Sequence, residues 1–446
     1  MISEIIKISL PVVVAQLSFA LMSFIDTLLM GLLGVEVIAG GGLGAVVFQF
    51  FYVVGIGVLV ATANLIAFAK GRENDDEIRK ALLSGCVVVV LLSIIFISLL
   101  LHIRPLLILL GQEVETVNYA CRYLKVVSWA LFPAFGFILI RSLVLGMGSP
   151  SAILPICIVS AAINYPVSYV LMVGLFGIEP MGIEGIALGT CVISWGMFLG
   201  LVVLVYRQEL FKPYVFWKGW DRFSVRQFVE TVRLGIPISL AHAMEIGMFS
   251  AAALLMGLLG VNALASHQVA LQLTSLSFMI PLGISQAVSV KVGELYGALA
   301  IAKISIALRS GLILALLGSC LSASLFLFAP EFLVTIFIKE SLVGAQNYQS
   351  VLAISVGILF VAALFQFVDG VQVVLMGALR GLKLGFLPTA ASVFSYWGIG
   401  IPCAYLFMAS MGAQGVWFGM GLGLGSSSLM LAVIFWREIR KQRLSA

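Results

Sequence analysis

The sequence predicts an all-α membrane protein with twelve transmembrane helices in two pseudo-symmetric six-helix lobes. Three observations lead to this prediction: the composition, the spacing of the apolar runs and an internal repeat. Of the 446 residues, 62% are hydrophobic and only 10% are charged, and the mean hydropathy is +1.16. A soluble domain of this length could not cover so much apolar surface with polar groups.

Twelve apolar runs approach the length of about 20 residues that a helix needs to cross a bilayer. They are centred near residues 20, 56, 92, 133, 164, 195, 245, 281, 317, 364, 398 and 425. The first run begins near Ile5 and continues past Asp26, which is too long for a cleaved signal peptide. Almost no chain remains for a soluble domain.

The longest polar stretch, Arg207 to Arg233, divides the runs into six and six. We therefore predict an N-terminal six-helix lobe at 1–206, a cytoplasmic linker at 207–230 and a C-terminal six-helix lobe at 231–446. An even number of crossings in each half gives both lobes the same orientation, with a substrate site expected between them.

The halves also resemble each other in sequence. Pro11 with the hexapeptide beginning at Met30 recurs as Pro237 with the identical hexapeptide beginning at Met256, at an offset of 226. Two further patterns recur in order: Pro166-x-x-Tyr169 as Pro402-x-x-Tyr405, and Gly182-x-x-Gly185-x-x-x-Gly189 as Gly412-x-x-Gly415-x-x-x-Gly419, at offsets of 236 and 230. Three matches in the same order favour a structural repeat.

The distribution of basic residues predicts the orientation. The two termini and the segments that join even-numbered runs to the following odd-numbered ones carry 21 of the 25 Lys and Arg residues. The positive-inside rule therefore places both termini in the cytoplasm. This bias accounts for the net charge of +5, so we expect no nucleic-acid partner. The opposite side keeps Arg104, Arg122, Lys125 and Lys339.

Three carboxylates, Asp26, Glu245 and Asp369, fall inside runs that otherwise contain hydrocarbon side chains. Burying an unpaired carboxylate costs several kcal/mol, so such residues usually face a wet cavity, bind a cation or carry a proton. The offset of 226 carries Glu245 onto Phe19, seven residues before Asp26, and seven residues span two helical turns, about 10 Å along one face. We expect Asp26 and Glu245 to face one central cavity from opposite lobes, as in a transporter.

Several motifs resemble the multidrug and toxic compound extrusion (MATE) family. They are Leu10-Pro11 with Gln16 and Phe24-Ile25-Asp26-Thr27, Gly235-Ile-Pro237 with Met244-Glu245, His267-Gln268-Val-Ala, and Asp369-Gly-Val-Gln372 followed by Gly377-Ala-Leu-Arg380-Gly381. The resemblance covers essentially the whole chain. It implies a V-shaped fold and the export of amphipathic cations or drugs in exchange for Na⁺ or H⁺, with no other cofactor.

Within the family, the carboxylate pair Glu245 and Asp369 resembles the NorM-like branch, which implies cation or proton coupling at Asp26, Glu245 and Asp369 and a possible Na⁺ site at the pair. Two positions depart from relatives: Asn164-Tyr-Pro-Val-Ser168 stands where some have Asn-x-x-x-Asn, and Phe278 where some have Tyr. These departures leave both Na⁺ and H⁺ open. The candidates for the substrate cavity are Asn164, Gln268, Phe278 and Gln16.

This assignment predicts a monomer in the inner membrane of a bacterium, with the lipid bilayer and small-molecule cations as its partners. It predicts no enzyme and no catalytic residue. A GxxxxGK[ST] phosphate-binding loop is absent. An intramembrane enzyme would need a clustered nucleophile and base or an HExxH zinc motif, whereas His242 is followed by Ala-Met-Glu.

A flippase of lipid-linked precursors from the same superfamily is the main alternative among transporters. Such a protein would hold pyrophosphate with cationic side chains, whereas the cavity candidates here are acidic, which favours cationic cargo. A major-facilitator protein shares the six-plus-six plan, but the segment starting at Lys70 does not resemble that family's signature loop.

Overall fold

The computed structural model describes residues 1–177, 179–217, 219–337 and 345–445, and within these ranges the chain is helical and contains no strand. Lys218 and Lys339, which contribute to the charge pattern above, lie outside the described residues. The first half contains helices α1 (Ile2–Leu32), α2 (Val35–Gly71), α3 (Asp75–Leu101), α4 (Arg104–Leu109), α5 (Val114–Val127), α6 (Leu131–Gly146), α7 (Ile153–Val173) and α8 (Ile183–Tyr206).

In the first half, a 3₁₀ turn at Ser128–Ala130 joins α5 to α6. The linker contains two short 3₁₀ helices, Glu209–Tyr214 and Trp220–Arg222. A further 3₁₀ turn, Pro150–Ala152, precedes α7. The second half contains α9 (Val225–Leu258), α10 (Val261–Gly297), α11 (Ile301–Phe328), α12 (Pro330–Thr335), α13 (Ala345–Gly381), α14 (Phe386–Val393) and α15 (Ile401–Ser445), with a π-helix, Phe394–Gly400, between the last two.

Eleven helical spans in the described ranges are long and apolar enough to cross a membrane. The last of them, Phe386–Leu444, has 59 residues and is broken at Gly412, whose backbone is non-helical at φ 58° and ψ −134°. Gly182, which begins α8, has nearly the same conformation at φ 55° and ψ −128°. Gly412 therefore starts a separate crossing, and the predicted twelve-helix membrane fold is confirmed.

The repeated glycine motif fixes the closest helix contacts. A Cβ added at Gly189 would lie 2.3 Å from Ser168 Oγ, and one added at Gly419 would lie 2.2 Å from the backbone nitrogen of Ala404. No larger residue fits these positions without displacing the neighbouring helix, since small residues are what allow membrane helices to approach so closely. The pattern that marks the repeat in sequence is thus a packing device used twice.

The helices form two compact units. The N unit is Val14–Ser239, and the C unit combines Met1–Val13 with Leu240–Ala446. The boundaries of these contact units fall inside α1 and α9, because the first turns of each helix pack with the other half of the chain. The lobes at 1–206 and 231–446 with a linker at 207–230 follow the order of crossings and stay a prediction.

Candidate cation-coupling sites

The first buried acidic site belongs to the N unit and is centred on Asp26 of α1. Asp26 is only 9% exposed, and the hydroxyl of Thr190 on α8 donates to its Oδ2 at 2.8 Å. The other carboxylate oxygen, Oδ1, is buried and has no hydrogen-bond partner among the described residues. One half of the carboxylate is therefore left open to a proton or a cation.

Neutral polar groups surround this carboxylate. Asn164 on α7 lies beside Asp26, and Ser168 follows it one helical turn later; both side chains are fully buried. In the described part of the chain neither the amide of Asn164 nor the hydroxyl of Ser168 has a hydrogen-bond partner of normal geometry. Tyr123 of α5 also interacts electrostatically with Asp26. Helices α1, α5, α7 and α8 thus bring oxygen donors around one formal charge, a donor type that suits hard cations.

The second site belongs to the C unit and contains the predicted carboxylate pair. Asp369 of α13 is 5% exposed, and its Oδ1 lacks a hydrogen-bond partner in the ranges that the structure describes. Glu245 of α9, with 20% of its side chain exposed, interacts electrostatically with Asp369. The structure therefore brings together two carboxylates that are 124 positions apart in the sequence.

Two residues that sequence reasoning missed complete the second site. Tyr396, in the π-helix, interacts with both carboxylates, and its hydroxyl accepts a 2.8 Å hydrogen bond from Gln372 Nε2. Arg380, near the end of α13, interacts electrostatically with Glu245 and Tyr396. In the sequence Arg380 belongs to the MATE-like motif at 377–381 and to the basic residues of the charge bias, and neither pattern places it in a buried site. A buried arginine that interacts with Glu245 partly offsets the repulsion between this carboxylate and Asp369.

A repeat could have revealed Arg380. The pattern Arg-x-Leu-x-Leu-Gly occurs at Arg141 and again at Arg380, at an offset of 239, and Arg141 is buried in α6. Thr190 and Tyr396 carried no comparable signal, because each is an ordinary polar residue in an apolar run. Tyr123 carried none because it lies between two basic residues, Arg122 and Lys125, in a more polar stretch.

The remaining candidates lie at varied depths. His242 Nδ1 is 3.8 Å from Glu245 Oε2 on the same helix. Gln16 and Phe278 are half-buried and Gln268 is exposed, and none of the contacts described for the chain joins these three side chains to a carboxylate. Within the described ranges, no group of three or more His, Cys, Asp or Glu side chains is placed to share a metal ion.

The sequence profile of the MatE family matches residues 11–170 and, a second time, residues 237–406. The chain belongs to the MatE family. The two matched segments begin at Pro11 and Pro237, the same pair from which the repeat was recognised. Members of this family are integral membrane transporters that act on small molecules and are not enzymes, as the sequence predicted.

Bacterial relatives match the chain over nearly its full length. The probable multidrug resistance protein NorM of Pseudomonas aeruginosa is 34% identical over 442 residues, covering 98% of this chain and 90% of the relative. The probable NorM of Mesorhizobium japonicum is 34% identical over 444 residues, covering 98% and 93%. The chain is thus a NorM-like member of this multidrug efflux family.

Solved structures share the fold at low identity. A variant of the Vibrio cholerae MATE transporter VcmN superposes with a TM-score of 0.88 at 16% identity, covering 99% of this chain and 97% of that one. A MOP superfamily transporter from Pyrococcus furiosus superposes with a TM-score of 0.86 at 19% identity, covering 99% and 96%, and is described as having a binding pocket of reverse polarity that suggests a different function. These two structures therefore show that the chain shares their fold.

Proposed function

We propose that this protein exports amphipathic organic cations or drugs in exchange for Na⁺ or H⁺. The observation that carries the proposal is the electrostatic interaction of two carboxylates inside one unit, Asp369, which is buried, and Glu245, which is half-buried. The isolated carboxylate of Asp26 in the other unit supports it. The relatives named as probable multidrug resistance proteins agree with the cargo class.

The physical basis of coupling is charge neutralisation. Two neighbouring carboxylates repel each other, and either a bound Na⁺ or a proton relieves that repulsion. An organic cation is attracted by the same negative charge. Occupation of the acidic groups by the coupling ion therefore lowers the affinity for the cationic cargo, and the cargo is released on the side where the ion enters.

The test is efflux from proteoliposomes that contain the purified protein and ethidium, with a Na⁺ gradient and a pH gradient imposed separately. We expect one of the two gradients to drive ethidium transport, which identifies the coupling ion, and an anionic dye of equal size to move poorly under both. Absence of ethidium transport with either gradient would contradict the proposal. Tight binding of an anionic lipid-linked sugar without binding of ethidium would favour the flippase instead.

We also propose that the protein is a monomer in the inner membrane of a bacterium, with both termini and the basic loops in the cytoplasm. The charge bias supports this orientation. In a cysteine-free background, Arg443→Cys should be protected from a membrane-impermeant maleimide in intact spheroplasts, while Glu179→Cys should react. Light scattering in detergent should give a protein mass close to 47.8 kDa.

A further inference from the structure

A cavity of about 380 Å³ lies in the N unit, between the start of α3 and the two 3₁₀ helices of the linker. It is separate from both acidic clusters. Three basic side chains line it, from Arg79, Lys212 and Arg222, together with one carboxylate, from Asp221. Its volume falls in the range of small-molecule sites, at about 300–1,000 Å³.

Three acidic side chains that neighbour the cavity lining, Asp75, Asp76 and Glu209, already have partners, whereas Asp221 is an exposed carboxylate of the lining itself. The hydroxyl of Tyr214 donates a hydrogen bond to Asp75 Oδ1 at 2.5 Å. Burial, together with this contact, raises the pKa of Tyr214 to about 12, so the phenol stays a neutral donor. Lys80 Nζ lies 2.6 Å from Asp76 Oδ2. Two remaining contacts complete the set: Arg222 Nη1 to Asp76 Oδ1 at 3.7 Å and Lys212 Nζ to Glu209 Oε1 at 2.5 Å.

Arg79 is a basic residue of the lining with one N–H donor that has no acceptor. Its Nε is buried and has no hydrogen-bond partner among the residues that the structure describes. The Arg222 pair at 3.7 Å is longer than a hydrogen bond and both of its side chains are 46% exposed, so that guanidinium also keeps donors for a ligand. An anion with several oxygens, such as a phosphate, matches such donors.

The surroundings favour a lipid over a free anion. Leu82 and Leu83 of α3 form an apolar part of the cavity wall, and α3 is one of the membrane spans. Trp217 and Trp220, which flank Gly219 of the cavity lining, are 51% and 48% exposed. Exposed tryptophans next to basic residues at the end of a spanning helix are typical of the headgroup level of a bilayer.

We propose that this cavity binds the phosphate of an anionic phospholipid headgroup, from the membrane leaflet on the basic side of the protein. The guanidinium of Arg79 and the side chains of Arg222 and Lys212 would hold the phosphate, while the acyl chains would follow the apolar surface of α3. The linker, with Phe211 and Tyr214 buried, would then be attached to the bilayer surface by a lipid. This binding is independent of ion coupling and of cargo.

The experiment is native mass spectrometry of the full-length protein in detergent, titrated with phosphatidylglycerol or with phosphatidylcholine of the same acyl chains. We expect wild type to bind the first phosphatidylglycerol about fivefold more tightly than phosphatidylcholine, and Arg79→Gln to lose about fivefold, since one basic contact near a membrane surface contributes about 1 kcal/mol. Arg79→Lys keeps the charge and should retain most of the preference. The matched control is Arg226→Gln, which removes the same charge from an exposed residue of α9 outside the cavity lining.

Three results would overturn the proposal: equal binding of the two lipids by wild type, an equal loss in Arg226→Gln and Arg79→Gln, or displacement of phosphatidylglycerol by millimolar inorganic phosphate, which would assign the cavity to a free anion. If Arg79→Gln does not fold, the Lys212→Gln/Arg222→Gln double variant takes its place. A phosphatidylglycerol preference that persists in that double variant would overturn the proposal equally.

Discussion

Asp26 in the N unit and the pair Glu245 and Asp369 in the C unit stand at positions that the repeat does not duplicate. At the offset of 226, the residue equivalent to Asp26 in the second half is Ala252. At the offset of 239, which aligns the two Arg-x-Leu-x-Leu-Gly motifs, the residue equivalent to Asp369 in the first half is Ala130. Both alanines are fully buried. Glu245 corresponds to Phe19. The halves therefore share positions that pack helices and differ at every intramembrane acid.

Unlike the acids, the buried arginines are present in both halves. Arg141 and Arg380 occupy equivalent positions, but Arg141 interacts with Tyr52 and Cys157, whereas Arg380 interacts with Glu245 and Tyr396. In the C unit the repeated arginine interacts with an acid, and in the N unit it interacts with groups that are neutral at ordinary pH. The repeat thus specifies packing, and single substitutions specify the chemistry of each unit.

The largest expected effect is at the isolated acid of the N unit. Asp26→Asn keeps the size of the side chain and its contact with Thr190 but removes the charge, so we expect ethidium efflux to fall at least about tenfold, equivalent to about 1.4 kcal/mol, with expression and folding retained. The measurement is efflux in cells and in proteoliposomes. Glu113→Gln, which removes an exposed carboxylate just before α5, is the control and should leave efflux unchanged. Near-normal efflux by Asp26→Asn would remove this carboxylate from the mechanism.

The next prediction asks which unit binds the coupling ion. We expect the Glu245→Gln/Asp369→Asn double variant to lose the protection against thermal unfolding that the coupling ion gives to wild type, because it removes both charges of the C unit pair. Asp26→Asn should keep that protection, measured over the same range of Na⁺ concentration or pH. An ion response that survives the double substitution and disappears in Asp26→Asn would place the ion in the N unit, beside Asn164 and Thr190.

Composition and the spacing of the apolar runs were enough to predict the fold. The three acids were recognisable because a charged side chain in an apolar run is costly to bury and therefore indicates a function. The sequence did not show what surrounds them. Thr190 and Tyr396 are ordinary polar residues until helix packing places them beside a carboxylate, and Arg380 looked like a loop charge because it lies in the last turn of α13. Contacts between distant helices leave no periodic signal either, so the packing of Met1–Val13 with the C unit is not visible in the sequence.

The duplicated arginines give a prediction of intermediate size. Arg380→Gln removes a positive charge near Glu245, so we expect the coupling ion to bind the C unit more tightly, by about fivefold or about 1 kcal/mol, and efflux to slow because the ion is released less readily. The measurement is the ion concentration that gives half of the thermal protection. Arg141→Gln, the equivalent change in the N unit, should lower stability without moving that concentration. Equal shifts in both variants would mean that the arginines act on stability alone.

The smallest expected effect concerns a helix crossing that both halves contain. Gly57 of α2 packs against Ser239 of α9, and Gly283 of α10 packs against Val13 of α1, at the common offset of 226. A Cβ at Gly57 would lie 2.6 and 2.7 Å from the Cα and N of Ser239, which are backbone atoms, whereas a Cβ at Gly283 would meet chiefly the Cγ2 of Val13, at 2.4 Å.

Both Gly→Ala variants should lose stability by about 1–3 kcal/mol through overpacking, with Gly57→Ala the more affected because backbone atoms cannot rotate away. The sharper measurement is rescue in thermal unfolding. Val13→Ala should restore much of the stability lost in Gly283→Ala, since it removes the clashing methyl group. Ser239→Ala should not restore Gly57→Ala, since the obstructing Cα and N remain. If both second-site variants restored stability, or if neither did, the two helix crossings would be equivalent. The halves would then differ in their buried charges and not in this packing.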